Sequence, residues 1–364
     1  MEDQTMKVAV CKGGTNITFS KSNRSAACAD ILYALRQLDP KIIDTTIVTH
    51  KTRNTVIPKP LKFTEIEEAN FDDFDLVLLF NFSINFFGGV EDKNLLNLYR
   101  KMAKTLTPIV YIQTDGQLSF KQLWPAICNR EWASEYKESE FFIEPSNVIY
   151  ISQGQDLLKV RQEINKKDDN IRPSGILHYP WAQTILAGTT TAKYQKSINF
   201  ADRPYDLAFG GATRNAHKLR KIKHYFMEPQ HSNLIFGNIR NLPDKPNIEY
   251  TKAVSYQQFI PTMQKAKGTV IIGDKHYEDN YFTLRMYESI IAGCMTYIDV
   301  YLDTHHNFYQ NKFDELYVSS PSHILEFNRY AEELSKESNL FILNNYDEVK
   351  SRDQLYESLK ACTE

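Results

Sequence analysis

The sequence predicts an α/β protein of two domains, each a doubly wound sheet of parallel strands. Three observations carry that expectation. Short apolar runs with strand character alternate with helical stretches along most of the chain. The alternation breaks once, around residues 166–200, and then restarts. The length, 364 residues, exceeds what one hydrophobic core ordinarily gathers.

In chain order, residues 8–11 read as a strand, 25–38 as a helix and 41–48 as a strand. The run Leu76-Val77-Leu78-Leu79-Phe80 is apolar throughout, as expected of a strand covered on both faces. A helix over 92–104, strands over 108–113 and 147–151, a helix from 155 to about 165 and a strand over 175–179 complete the first series. The polar run Lys166-Lys167-Asp168-Asp169-Asn170 and a Gly/Thr stretch at 188–191 interrupt it. The second series has strands at 205–209, 233–236, 269–272 and 295–298, with helices at 216–226, 255–266 and 283–292. The boundary is placed near 180–200, giving an N-terminal domain over 1–185 and a C-terminal domain over 186–349. Beyond Pro321 the chain is charged and helical. Its last helix, about 353–362 in the tail 350–364, is expected to cross back onto the first domain.

Composition narrows the functional classes. Hydrophobic residues make up 42% and charged residues 24%, ordinary for a globular protein. No apolar run approaches the length of a bilayer span. The chain passes at once into Lys7-Val8-Ala9-Val10, so no secretory leader and a cytoplasmic location are expected. The N-x-[ST] matches at Asn16, Asn23 and Asn81 then read as chance. The five cysteines, Cys11, Cys28, Cys128, Cys294 and Cys362, are scattered without C-x-x-C, which suits reduced thiols rather than a zinc site. A net charge of −2 gives no global attraction to nucleic acid, so DNA binding would need a local basic patch.

Ligands of open α/β sheets sit beyond the carboxyl ends of the strands. That rule selects four stretches: 81–89, Asp115, 210–214 and 273–279. Gly210-Gly211-Ala212-Thr213-Arg214 lies between a strand and a helix. Its glycines would let backbone amides approach an anion, and Arg214 would hold a phosphate bidentately. Taken alone, the same residues also suit a simple turn. Arg285 and Glu288 are spaced i, i+3 on one helical face. They read either as a surface ion pair or as a nucleotide clamp, with arginine on a diphosphate and glutamate on ribose hydroxyls. The run Ile271-Ile272-Gly273-Asp274-Lys275-His276-Tyr277 leads into that helix and favours the clamp. Asp115, just past a buried strand, suits either a turn or a general base ionised at neutral pH. His305-His306 lacks a third placed ligand, so no metal residue is assigned.

Together these stretches resemble the DNA β-glucosyltransferases of T-even phages. The resemblance rests on segments in order: Ser83-Ile84-Asn85-Phe86-Phe87-Gly88-Gly89, Thr114-Asp115, Trp124-Pro125, Asn129-Arg130-Glu131-Trp132-Ala133, Ile151-Ser152-Gln153-Gly154, Phe236-Gly237-Asn238 and Ile271-Ile272-Gly273-Asp274-Lys275, then Tyr277, Asp279-Asn280, Thr283-Leu284-Arg285 and Glu288. It implies a GT-B glycosyltransferase: two facing Rossmann-like domains with a cleft between them, DNA on the first and a UDP-sugar on the second. It further implies that Asp115 is the general base. Arg214, Lys218 and Arg285 would bind the diphosphate and Glu288 the ribose. The backbone near Val254 would read uracil, and Gly211, Gly237, Asp274 and Tyr277 would lie on the donor side. Asn85 and Gly88 would enter the DNA beside an extruded base, with Arg130 and Trp132 on the DNA side. The basic run 214–223 would serve the donor or, with Lys121 and Arg130, the DNA patch.

The implied reaction is inverting transfer of a sugar, glucose or a relative, to 5-hydroxymethylcytosine in double-stranded phage DNA. The implied protein is a monomer in the host cytoplasm. A divalent ion, Mg or Mn, is compatible but not demanded. The chain departs from the family pattern in three places. Ala212 replaces a serine after Gly-Gly, Lys218 replaces an arginine, and Ser22-Asn23-Arg24-Ser25-Ala26-Ala27-Cys28 lacks a glutamate that lies near the sugar. The third departure raises a pentose donor such as UDP-arabinose as an alternative, unless Asp30 supplies the carboxylate. Two further alternatives are a non-DNA acceptor and a catalytically silent DNA-binding relative.

Overall fold

A computed structural model describes residues 5–12, 43–50, 61–80, 93–113, 134–140, 143, 147–167, 174–187, 189, 199–213 and 215–364. The described residues divide into two compact units: those up to Trp181 together with Val349–Glu364, and Ala182–Glu348.

Among the described residues the first unit carries seven strands: β1 (Met6–Lys12), β2 (Ile43–Thr49), β3 (Lys62–Glu65), β4 (Leu76–Phe80), β5 (Ile109–Gln113), β6 (Val148–Ser152) and β7 (Gly175–His178). Their order across the sheet is β3-β2-β1-β4-β5-β6-β7, and every pairing is parallel. The order reverses between β1 and β4, the Rossmann pattern. All five residues of β4 are buried, which is why that strand reads as an unbroken apolar run. Helices α1 (Lys93–Lys104) and α2 (Leu157–Lys167) belong here. Leu96, Tyr99 and Met102 give α1 its buried face at helical spacing. The expected helix at 25–38 lies outside the described residues.

The second unit has six strands: β8 (Tyr205–Ala212), β9 (Asn233–Asn238), β10 (Ile248–Lys252), β11 (Ala266–Ile271), β12 (Met295–Asp299) and β13 (Tyr317–Val318). Their order, β10-β9-β8-β11-β12-β13, repeats the reversal of the first unit, again all parallel. Its helices are α3 (Ala216–Phe226), α4 (Tyr256–Met263), α5 (Leu284–Ile291) and α6 (Arg329–Asn345). Both units are thus Rossmann-like, the fold class expected. Helix α7 (Glu348–Lys360) belongs to the first unit. Its Leu355 and Leu359, with Cys362, join Val8, Val10, Ile47 and Leu78 in one core. The hydroxyl of Tyr179 donates to the carbonyl of Ser351 at 3.0 Å and pins the helix there.

The structure corrects the sequence reading in two respects. Strands β3, β10 and β13 were not expected; β3 and β13 are short sheet-edge strands, and β10, also at an edge, carries polar residues between its apolar ones. Strand β8 does not end at Phe209 but runs on to Ala212, so Gly210, Gly211 and Ala212 pair with Phe236, Gly237 and Asn238. The two glycines are strand residues rather than a loop.

Candidate functional site

The carboxyl ends of β8, β9 and β11 gather most of the expected donor-side residues in the second unit. Gly237 sits at φ +132°, and a Cβ on it would lie 1.8 Å from the carbonyl oxygen of Gly211. Only glycine lets β8 and β9 meet there. A Cβ at Gly210 would lie 2.6 Å from the Phe259 ring, so that ring rests directly on the β8 backbone.

Phe259 comes from the first turns of α4. Ser255 caps that helix, its backbone N–H and hydroxyl both donating to Gln258 Oε1 at 3.4 and 3.1 Å. Val254, half-buried just before the cap, packs on the cluster of Ala208, Phe236 and Phe259.

Arg285 and Glu288 form an ion pair in the first turns of α5. The guanidinium carbon lies 3.8 Å over the centroid of Phe259. Arg285 is 36% exposed while Glu288 is 1% exposed, so this is not a surface pair. Glu288 Oε1 is buried and has no hydrogen-bond partner among the described residues. Burial pushes the Glu288 carboxyl above its ordinary range, and Arg285 opposes that rise. A buried carboxylate oxygen without a partner costs stability, a cost that hydroxyl donors of a ligand would relieve.

The loops after β8 and β11 are tied together. Asn215 Nδ2 donates to Asp274 Oδ1 at 2.6 Å, while Asn215 Oδ1 accepts from the backbone N–H of Lys218 at 2.8 Å. Asn215 is the N-cap of α3, and Asp274 holds it. Lys218 therefore stands in the first turn of a helix whose N-terminus favours anions. One carboxylate oxygen of Asp274, Oδ1, is thus taken by Asn215. Tyr277 is 9% exposed, packed edge-on to Tyr281, its N–H donating to the Asp274 carbonyl at 2.9 Å. Ala212 ends β8 and has no hydroxyl to offer an anion.

Part of the basic run is committed within the second unit. Lys221 pairs with buried Asp299 at 2.7 Å and with Glu278 at 3.5 Å, and His217 faces Glu278 at 3.4 Å. Those contacts remove Lys221 from a DNA patch. His306 stacks on Tyr317 and faces Asp314 at 2.8 Å. Among the described residues, His50, Glu65 and Glu67 of the first unit place ligand atoms within 4.8 Å of one another. That grouping had no sequence signal, because β2 and β3 bring it together. Asp115, Asn85, Gly88, Arg130, Trp132 and Arg214 lie outside the described residues. Phe259 and Asn215 were missed; an asparagine directly before a helix was the available signal for Asn215.

A family model described as bacteriophage T4 β-glucosyltransferase matches residues 6–182. The DNA β-glucosyltransferase of Enterobacteria phage T4 is 30% identical over 324 residues, 85% of this chain and 87% of that protein. The chain belongs to this family. Among solved structures, the T4 phage enzyme in complex with UDP and Mn2+ superposes with a TM-score of 0.81 at 24% identity, covering 99% of this chain and 100% of that one. The T4 enzyme with its UDP-glucose substrate gives 0.72 at 22% identity, covering 98% and 97%. An α-glucosyltransferase in complex with UDP gives 0.58 at 10% identity, covering 98% and 100%. These likenesses extend the shared GT-B fold beyond the residues matched by the family model.

The state of Glu288 makes the clamp testable by pH. Because its folded-state pKa is raised, the bound proton stabilises the ligand-free chain at low pH, and that contribution is lost as pH rises through the raised value. In the nucleotide clamp expected from the sequence, ribose hydroxyls would donate to the ionised carboxylate, so donor binding would run in the opposite direction. UDP-glucose affinity is expected to fall as pH drops through the raised value. Glu288→Gln is expected to bind more weakly and without that dependence. Calorimetric titration between about pH 8 and about pH 5 checks this; identical slopes in both proteins reject Glu288 as the ribose acceptor.

Proposed function

We propose that this chain transfers glucose from UDP-glucose to the hydroxymethyl group of 5-hydroxymethylcytosine in double-stranded DNA, with inversion at the sugar. The observation that carries the donor half is the buried Oε1 of Glu288, without a hydrogen-bond partner among the described residues, beside Arg285 at the strand ends of a Rossmann-like sheet. A carboxylate with one oxygen held by arginine and one vacant suits a pair of ribose hydroxyls. The neighbouring guanidinium then suits a diphosphate. The acceptor half rests on family membership with a DNA β-glucosyltransferase.

The chemistry follows from the parts. A base stacked in a duplex is out of reach, so the modified cytosine is flipped out, with the Asn85 and Gly88 loop, Arg130 and Trp132 on the DNA side. Asp115 accepts the proton of the hydroxymethyl group as that oxygen bonds to the anomeric carbon. The bond from that carbon to the diphosphate oxygen breaks on the opposite face, and UDP leaves. Arg214, Lys218 and Arg285 offset the charge that develops on the diphosphate. Mn2+ accompanies UDP in one relative's structure. In this chain, Asp274, Glu278 and Asp299 are engaged by Asn215, by His217 and Lys221, and by Lys221. They form no converging ligand set, and no step above needs a metal.

The test is intact-mass analysis of a hydroxymethylated oligonucleotide incubated with equimolar UDP-glucose and UDP-arabinose. The expected product carries a hexose, and an unmodified cytosine duplex gains nothing. A pentose product, for which the relatives offer no support, would reverse the donor assignment. Absence of any DNA product would leave a non-DNA acceptor as the reading to pursue. No helix among the described residues is long and apolar enough to cross a membrane.

A further inference from the structure

We propose that Phe259 is a positioning residue for donor binding: its ring is the platform that holds the Arg285 guanidinium ready for the diphosphate. The proposal rests on the donor-clamp reading above and adds a residue that neither its position nor its type marked in the sequence.

The geometry is specific. The Arg285 guanidinium carbon stands 3.8 Å over the Phe259 centroid, well inside cation–π range. The ring itself is fixed. Phe259 is 7% exposed, its centroid lies 5.2 Å from that of Phe236, and its edge abuts the β8 backbone at Gly210. A side chain at position 210 would occupy the ring's place, so the glycine and the phenylalanine form one fitted contact. Arg285 is thus held on one face by the ring and at one nitrogen by Glu288. An arginine free to rotate loses considerable side-chain entropy when it clamps a phosphate; one already held flat on a ring loses less. No described residue is seen to accept from its other N–H groups, which leaves them for the ligand. Phe259 also sits on the helix that follows Val254. One side chain therefore couples the segment expected to read uracil to the arginine expected to read the diphosphate.

The experiment is calorimetric titration of the full-length chain with UDP, alongside Michaelis constants for both substrates. Phe259→Leu keeps an apolar side chain but removes the ring. It is expected to weaken UDP binding roughly 5- to 20-fold and to raise the KM for UDP-glucose by a similar factor. The KM for DNA should change by less than about twofold. Phe259→Tyr, which keeps the ring, should bind UDP as the wild type does. The decisive arm is the Arg285→Ala background, where adding Phe259→Leu should cost nothing further. Wild-type UDP affinity in Phe259→Leu overturns the proposal, as does an equal loss with and without Arg285, which would mean that the ring acts through packing. Wild-type UDP affinity in Arg285→Ala overturns the clamp itself, and this proposal with it. Weak binding in Arg285→Ala with normal binding in Phe259→Leu overturns the platform alone.

Discussion

Replacing Asp115 with asparagine is expected to lower turnover about 100-fold or more while leaving UDP affinity near the wild-type value. Asp115 follows β5, whose last residue, Gln113, pairs with Ser152 of β6. β5 lies inside the first sheet, and the carboxyl ends of such strands are where α/β proteins place reactive groups. An aspartate with an ordinary pKa of about 4 is ionised at neutral pH and can accept the acceptor's proton. Asparagine keeps the shape and cannot. The residues proposed for the donor, Arg285, Glu288 and Lys218, belong to the other unit, so UDP binding has no reason to follow the loss. Single-turnover transfer to a hydroxymethylated oligonucleotide, with calorimetry of UDP on the same sample, separates the two effects. A variant that keeps most of its turnover would make Asp115 a turn residue. A variant that loses UDP affinity in parallel would move it to the donor side.

The sequence revealed the fold where burial writes itself into composition, and concealed it elsewhere. Leu76–Phe80 is apolar because both faces of β4 are covered, so the strand could be read directly. Helix α3 kept its expected limits because Asn215 caps it and its apolar residues recur on one face. Strands β3 and β13 left little trace because a short edge strand needs few apolar residues. Gly210 and Gly211 misled for a physical reason: glycine pairs usually turn a chain, whereas here they let a strand lie under Phe259 and against Gly237. At the site, the spacing of Arg285 and Glu288 was visible but the burial of Glu288 was not. That burial is what rules out a surface pair. The Asn215 to Asp274 tie and the Phe259 platform join segments distant in the chain, so no local pattern announces them.

Gly237→Ala is expected to destabilise the second unit by roughly 2–4 kcal/mol and to weaken UDP binding at least about tenfold. Two independent constraints act at this position. The backbone sits at φ +132°, which a side chain resists. An added Cβ would also lie 1.8 Å from the Gly211 oxygen and 2.8 Å from its carbonyl carbon. Both atoms are backbone, so no rotamer change relieves the overlap. Strands β8 and β9 must instead part at the Gly211–Gly237 pair. That movement displaces Gly211 and Ala212 and the start of the chain that leads to Asn215 and Lys218. Stability and donor affinity should therefore fall together. Thermal unfolding should show a melting temperature lower by about 5–10 °C. Gly175→Ala is the control, because among the described residues its Cβ would meet only Ile149 Cγ2, at an ordinary 3.7 Å. That variant, in the first unit, should melt within a few degrees of wild type and bind UDP normally. If Gly237→Ala behaves like Gly175→Ala in both measurements, the close approach of β8 to β9 is not what holds the donor side in place.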